Sequence, residues 1–308
     1  MKSHLFSIFI LLSLIIVANV CSQPGPGDVY REYTWYNSRG DAGNALRVGG
    51  NACYGGGNIT FPDSIDLQDA IKAEIVLEKI LCHSGTRGLS ISINDNAWIL
   101  VPEADSISTP QYQYQHHFYP IVEIPLNQIK SGYNNVFKLR VDTSEPKWPQ
   151  NLIYGVHFRI YYDAGKKAHP SASIITLQNG GKLGNSVNLQ VDAYSPNGEI
   201  FRVDYIGQYF GVNYEGDGRY KQWHYHYYHG EIMHHIGSAS DGSFEVNWDT
   251  EWIPDQPEPM QIAARVIDEK GIIYFCEPVV NLTFEREDFS VELCKPRRVR
   301  WGWTTRQE

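Results

Sequence analysis

The segment Leu89-Ser-Ile-Ser-Ile-Asn-Asp-Asn-Ala-Trp-Ile-Leu-Val101 decides the class of fold. Leu89 to Ile93 alternates apolar and polar residues, the period of a strand with one buried face. Asn94-Asp95-Asn96 supplies a tight turn, and Ala97 to Val101 resumes as a second strand. The same grammar extends to both sides. Ala73 to Leu81 alternates loosely, Ile121 to Leu126 is a short strand broken at Pro125, and Val136 to Val141 alternates again. Val156 to Tyr162 closes the run. Short strands between Gly, Asn and Pro turns predict a β-sandwich over residues 30–162.

Residues 163–173 (DAGKKAHPSAS) carry charge, Gly and Pro without an apolar period, and read as a linker. A second β pattern fills residues 174–285. Val187 to Ala193 alternates, Ser195-Pro-Asn-Gly198 turns, and Ile200 to Tyr205, Ser243 to Trp248, Met260 to Ile267, Gly271 to Phe275 and Val279 to Phe284 follow. The chain is therefore expected to be all-β, two sandwich modules in series. Residues 286–308 form a basic tail, read as solvated or as the start of a further module.

Two resemblances sharpen this. ISINDNAWILVP followed by IPLNQIKSGYNNVFKLRV, with Gly132 and Asn134-Asn135 in a G-x-N position, resembles the galactose-binding-like jelly roll. Many such modules bind carbohydrate and others only support a neighbouring domain, so no contact residue is carried across. VNLQVDAYSPNGEIFRVDYIG, SFEVNWD and MQIAARVIDEKG resemble a bacterial immunoglobulin-like module. The pairing is similar to secreted multi-module bacterial proteins. One departure stands out: such modules join the FRVDYIG and FEVNW strands by a short loop, and here about 30 residues, 211–242, intervene.

That insertion is unlike the rest of the chain. Eight of the 21 residues from Tyr209 to His229 are aromatic, against 13% overall, and five of eleven histidines lie between His224 and His235. So many rings argue against a disordered linker, and an ordered loop of this length is usually functional. The immunoglobulin-like pattern is complete without it, so the core is not expected to need it. A hairpin around Lys221 to His229 is expected, with Trp223 buried and Tyr225 or Tyr227 exposed. Candidate ligand-binding residues are Tyr220, Trp223, His224, Tyr225, His226, Tyr227 and His229. Their rings could stack on sugar faces or pack on each other.

Metal chemistry is the alternative use. On a strand His224 and His226 would share a face, as zinc requires, with Glu215 or Asp217 completing a shell. Glu215-Gly-Asp217-Gly218 also offers carboxylates of the kind calcium takes. The same carboxylates and histidines could serve a hydrolase, but nothing singles out a pair. No GxSxG, HExxH, P-loop or dinucleotide motif is present, so no catalytic residue is assigned.

Residues 1–22 read as a secretory signal: Lys2, then an apolar run from Leu5 to Val20, with small residues at Val20 and Ser22. The expected location is extracellular or periplasmic, with a lipoprotein anchor at Cys21 less favoured. No other stretch approaches a membrane span. The net charge of −9 speaks against nucleic acid. The expected partners are carbohydrate and other extracellular modules or enzymes. Export makes disulfides plausible among Cys53, Cys82, Cys276 and Cys294, with local pairing Cys53–Cys82 and Cys276–Cys294 expected.

Overall fold

The computed structural model describes residues 23–36, 46–48, 58–61, 64–81, 88–103, 116–141, 151–212 and 219–286. The described residues form β strands and one short 3-10 turn. The first group is β1 (Val29–Tyr36), β2 (Leu46–Val48), β3 (Asn58–Phe61), β4 (Ala70–Leu81), β5 (Leu89–Ile93), β6 (Ile99–Leu100), β7 (His116–Phe118), β8 (Ile121–Glu123), β9 (Asn135–Val141) and β10 (Asn151–Tyr162). The second begins with β11 (Ser171–Ile174), β12 (Lys182–Leu183), β13 (Ser186–Leu189), β14 (Val191–Tyr194), β15 (Ile200–Phe210), β16 (Lys221–Trp223) and β17 (His226–Tyr228). It ends with β18 (Glu231–Met233), β19 (Gly237–Ala239), β20 (Val246–Asp249), β21 (Met260–Asp268), β22 (Ile272–Phe275) and β23 (Val279–Phe284). The all-β, sandwich-like architecture is as the alternation requires. No helix among these residues is long and apolar enough to cross a membrane.

In the first sandwich, β1, β10 and β4 pack against the sheet β3-β9-β5-β6. Its core takes every second residue: Tyr33 from β1, Ile75 and Leu77 from β4, Phe158 and Ile160 from β10, and Ile91 and Phe137 from the facing sheet. The Gly132 and Asn134-Asn135 turn is structural. Gly132 sits at φ +70, and buried Asn135 accepts hydrogen bonds from the Lys130 amide and from Asn94 Nδ2, each at 2.8 Å. The second core gathers Val203, Tyr205, Ile262, Ala264 and Phe275 with Leu189 and Trp248 of the opposing strands.

The two sandwiches share a sheet. β1 pairs with β10 on one side, Val29 opposite Tyr162, and with β22 on the other, Val29 opposite Tyr274. Through β22 and β21 that sheet continues to β15. The stretch read as a linker is partly structured: residues 171–173 belong to β11, which pairs with β14. Lys167 reaches Asp66 at 2.6 Å, and the Ala168 carbonyl accepts from Asn197 Nδ2 at 3.0 Å.

The insertion differs from expectation in two ways. Its hairpin is β17–β18, Tyr228 opposite Glu231, with His229 and Gly230 both at positive φ, the geometry of a type I′ turn. β16 instead extends the shared sheet by pairing with β15. The core also uses the insertion, because Trp223, Tyr225 and Tyr227 are part of the second cluster. Cys276 is a buried thiol, free among the described residues, whose Sγ accepts the Ala264 amide hydrogen at 3.1 Å. Burial pushes that thiol up to about 11. Cys53, Cys82 and Cys294 lie outside the described residues, as do Cys21 and the leader.

Candidate functional site

All twelve residues of β10 are buried. One face fills the first core, so something must cover the other, and the insertion hairpin does. The covered face is charged. Arg159 on β10 donates from Nε to Glu32 on β1 at 2.7 Å and from Nη1 to Glu74 on β4 at 3.1 Å. Tyr227 of the hairpin donates to Glu32, with both carboxylate oxygens at 2.8 Å. Its ring stacks on His157, centroids 3.7 Å apart. His157 meets Glu78 at 2.8 Å, and Glu78 also accepts the His229 and Gly230 amides at 2.8 and 2.9 Å. Gly230 is needed here: a Cβ would lie 2.7 Å from the Tyr36 ring.

The electrostatics follow from burial plus pairing. Burial raises the Glu32 carboxyl, but Arg159, Arg265 and His157 together outweigh it and lower the group to about 2. Burial pushes the Tyr227 hydroxyl up to about 12, so it stays a donor. Buried charges survive only where paired and hydrogen-bonded, and this layer meets that condition at Arg159 and Glu32.

Two clefts are of a size to hold a ligand, and the second borders this layer. The first, about 450 Å³, is apolar and lined by Tyr209, Phe210, Val212, Tyr220, Trp252 and Pro254, with His224 and Asp255 at its edge. Tyr220 and Trp252 are 57% and 60% exposed. Gln256 fixes the Trp252 loop to the end of β15, accepting from the Phe210 amide at 2.7 Å and donating to its carbonyl at 3.0 Å. Arg286 donates to the Thr250 and Ile253 carbonyls at 2.9 and 2.8 Å. The second cleft, about 480 Å³, is polar and has Glu32, Arg202, Glu231, His235, Ser238 and Arg265 in its wall, beside Phe201.

The residues singled out from sequence are therefore divided. Tyr220 and His224 belong to the apolar cleft. The His224 ring stacks on Tyr209 at 4.1 Å, and its Nε2 donates to the Tyr209 carbonyl at 2.7 Å. Trp223 is buried against Phe275, centroids 5.0 Å apart. Tyr225 and Tyr227 are buried, contrary to the expected exposure, because the hairpin folds inward over the arginines; Tyr228 is the exposed ring. His226 stacks on His234 at 4.4 Å, and burial lowers it to about 3. The His229 ring meets Tyr154 edge-on at 5.0 Å. Of the residues named for zinc, His224 and His226 face different neighbours, and Glu215 and Asp217 lie outside the described residues. Among the described residues no three His, Cys, Asp or Glu group for a metal ion.

Sequence reasoning missed Trp252 as a site residue, in the run Trp248-Asp249-Thr250-Glu251-Trp252. It also missed Glu32, Arg159, Asp204, Ser238, His235 and Arg265. His235 Nε2 lies 2.7 Å from Ser238 Oγ, which donates to Asp204 at 2.5 Å. This order differs from a catalytic triad, in which histidine accepts the serine proton.

No protein-family profile matches the chain, and no curated protein matches it. Among solved structures it is similar to the fibronectin(III)-like modules of Clostridium thermocellum CbhA, at 15% identity and a TM-score of 0.25, over 38% of this chain and 99% of that one. It is also similar to a DUF4785 family protein from Legionella pneumophila, at 14% identity and a TM-score of 0.32. That match covers 86% of this chain and 66% of that one.

Proposed function

We propose that this is an exported, non-catalytic carbohydrate-binding protein, an accessory to extracellular polysaccharide processing. One observation carries the reading. Two large rings, Tyr220 and Trp252, stand more than half exposed in one apolar cleft, and the loop that carries Trp252 is pinned by Gln256 and Arg286. Exposed aromatic rings on a fixed backbone offer apolar faces for the C–H faces of sugars, and their area dominates such contacts. The leader pattern of residues 1–22 supports export, and the acidic charge fits a neutral-sugar ligand better than nucleic acid.

The hydrolase alternative has less behind it. A glycosidase needs one carboxyl that holds a proton and a second across the sugar. Glu32 is locked in ion pairs and far too acidic to hold a proton at neutral pH, and Asp204 is paired with Arg202 at 2.9 Å. A third use of such modules, a purely structural spacer in a larger assembly, predicts no glycan binding at all.

A glycan array followed by calorimetry tests the reading. Trp252→Ala and Tyr220→Ala should each weaken binding by roughly tenfold or more. Their stability should stay within about 0.5 kcal/mol of the parent, as surface changes do. An array with no hit, or variants that bind as tightly as the parent, would refute it.

A further inference from the structure

The polar cleft contains an imbalance. The buried acidic side chains around it, Glu32 and Asp204, have their acceptors filled. Glu32 takes hydrogen bonds from Tyr227 and Arg159, and Asp204 takes them from Ser238 at 2.5 Å and from Arg202 Nη2 at 3.2 Å. Arg265 does not match them. It is 1% exposed, and its one hydrogen bond runs from Nε to Tyr30 Oη at 2.7 Å. Nη1 is buried without a hydrogen-bond partner. The nearest carboxylate oxygens stand 3.8 Å from Nη1 and 3.6 Å from Nη2, ion-pair distances beyond hydrogen bonding. Nη2 of a guanidinium at the base of a cleft, with its nearest carboxylate oxygen beyond hydrogen-bond distance, is one prong of the fork that carboxylates take.

In the linked set Arg159, Arg202 and Arg265 face Glu32, Glu74 and Asp204, and the partly exposed Lys72 and the exposed Glu231 stand at its margins, where solvent screens them. The remaining walls describe the rest of the ligand. Phe201 is 61% exposed beside Ile232, Ile267 and Ile273, an apolar wall for a ring face. Thr34, Ser238 and Glu231 offer partners for hydroxyl groups. The volume, about 480 Å³, lies within the range of small-molecule sites.

We propose that this cleft binds an acidic saccharide unit, a hexuronate, with its carboxylate on Arg265 and Arg202 and its ring against Phe201. The site is separate from the apolar cleft and does not rest on the function proposed there. Phe201 and Arg202 begin β15, whereas Phe210 of the apolar cleft ends it.

Calorimetric titration of the full chain with sodium glucuronate, glucose and acetate tests it. Glucuronate should bind at least roughly tenfold more tightly than glucose, the factor a charge-assisted hydrogen bond supplies. Acetate, lacking the ring, should bind more weakly than glucuronate. Arg202→Gln, at a partly exposed position, should weaken glucuronate by roughly tenfold, and Phe201→Ala by a few-fold. Trp252→Ala should leave it unchanged, which separates this site from the apolar cleft. Glucose or acetate binding as tightly as glucuronate would overturn the proposal, as would an Arg202→Gln variant that binds it normally. Arg265→Lys, once circular dichroism shows it folded, should lose the preference for glucuronate over glucose; retention of that preference would overturn the role of the fork.

Discussion

Replacing Glu32 with alanine should lower the stability of the chain by about 3–5 kcal/mol, the usual cost of removing one partner from a buried ion pair. Arg159 would lose its 2.7 Å partner, Tyr227 would lose the acceptor for its hydroxyl, and Arg265 would lose a carboxylate 3.6 Å away. Two buried cations would then be left short of counter-charge. Glu32→Gln keeps the volume and isolates the charge. Because the folded carboxyl titrates at about 2, below its ordinary value of 4.5, the ionised form stabilises the fold. That contribution is complete above the ordinary value and is lost as pH falls from there through about 2. It amounts to about 3 kcal/mol at most. Urea unfolding at pH 7, 5 and 3 checks both statements. The parent should lose stability toward pH 3 more steeply than Glu32→Gln. Equal pH dependence in the two proteins would show that this carboxylate does not govern the acid response.

Trp223→Ala should cost a similar amount, about 3–5 kcal/mol, for a different reason. Trp223 is 8% exposed, its ring meets Phe275 edge-on, and its backbone pairs with Gln208 in the shared sheet. Removing the ring leaves a cavity between β16 and the second core, which the flanking strands cannot close without breaking their ladder. Denaturant unfolding should show a lower midpoint at an unchanged slope. Ligand affinity in either cleft, measured on the folded fraction, should not move. A loss below about 1 kcal/mol would mean that the ring is not a core element.

The sandwiches were legible because alternation reports one buried face, and Leu89 to Ile93 or Val136 to Val141 carry that signal plainly. Alternation says nothing about what lies over the other face. Glu32 and Thr34 on β1, Glu74 and Glu78 on β4 and His157 and Arg159 on β10 fill that other face. They are polar, and a strand with one wet face looks the same as one whose polar face is covered. The only trace of the cover was the insertion itself, whose rings exceed what one hairpin can bury alone. Its aromatic content marked a segment that packs on something, but its partners lie 68 to 195 residues away in the chain, beyond any local pattern. The same distance explains why Tyr225 and Tyr227 were expected outside. Trp252 was hidden for the opposite reason: nothing in Trp248-Asp249-Thr250-Glu251-Trp252 distinguishes the ring that turns inward, Trp248, from the one that stays out.

The double pairing of β1 has a consequence in time. This strand is among the first described residues to be synthesised, yet one of its edges waits for Gly155 to Tyr162 and the other for Ile272 to Tyr274. Closing such long loops costs entropy before any contact rewards it, and topologies rich in distant pairings fold slowly. The seam should therefore be the last part of the sheet to zip. In pulse-labelled hydrogen exchange during refolding, the amides that join β1 to β22 should gain protection after those that join β5 to β9. Protection of the seam in the earliest phase would mean that the two sandwiches nucleate together.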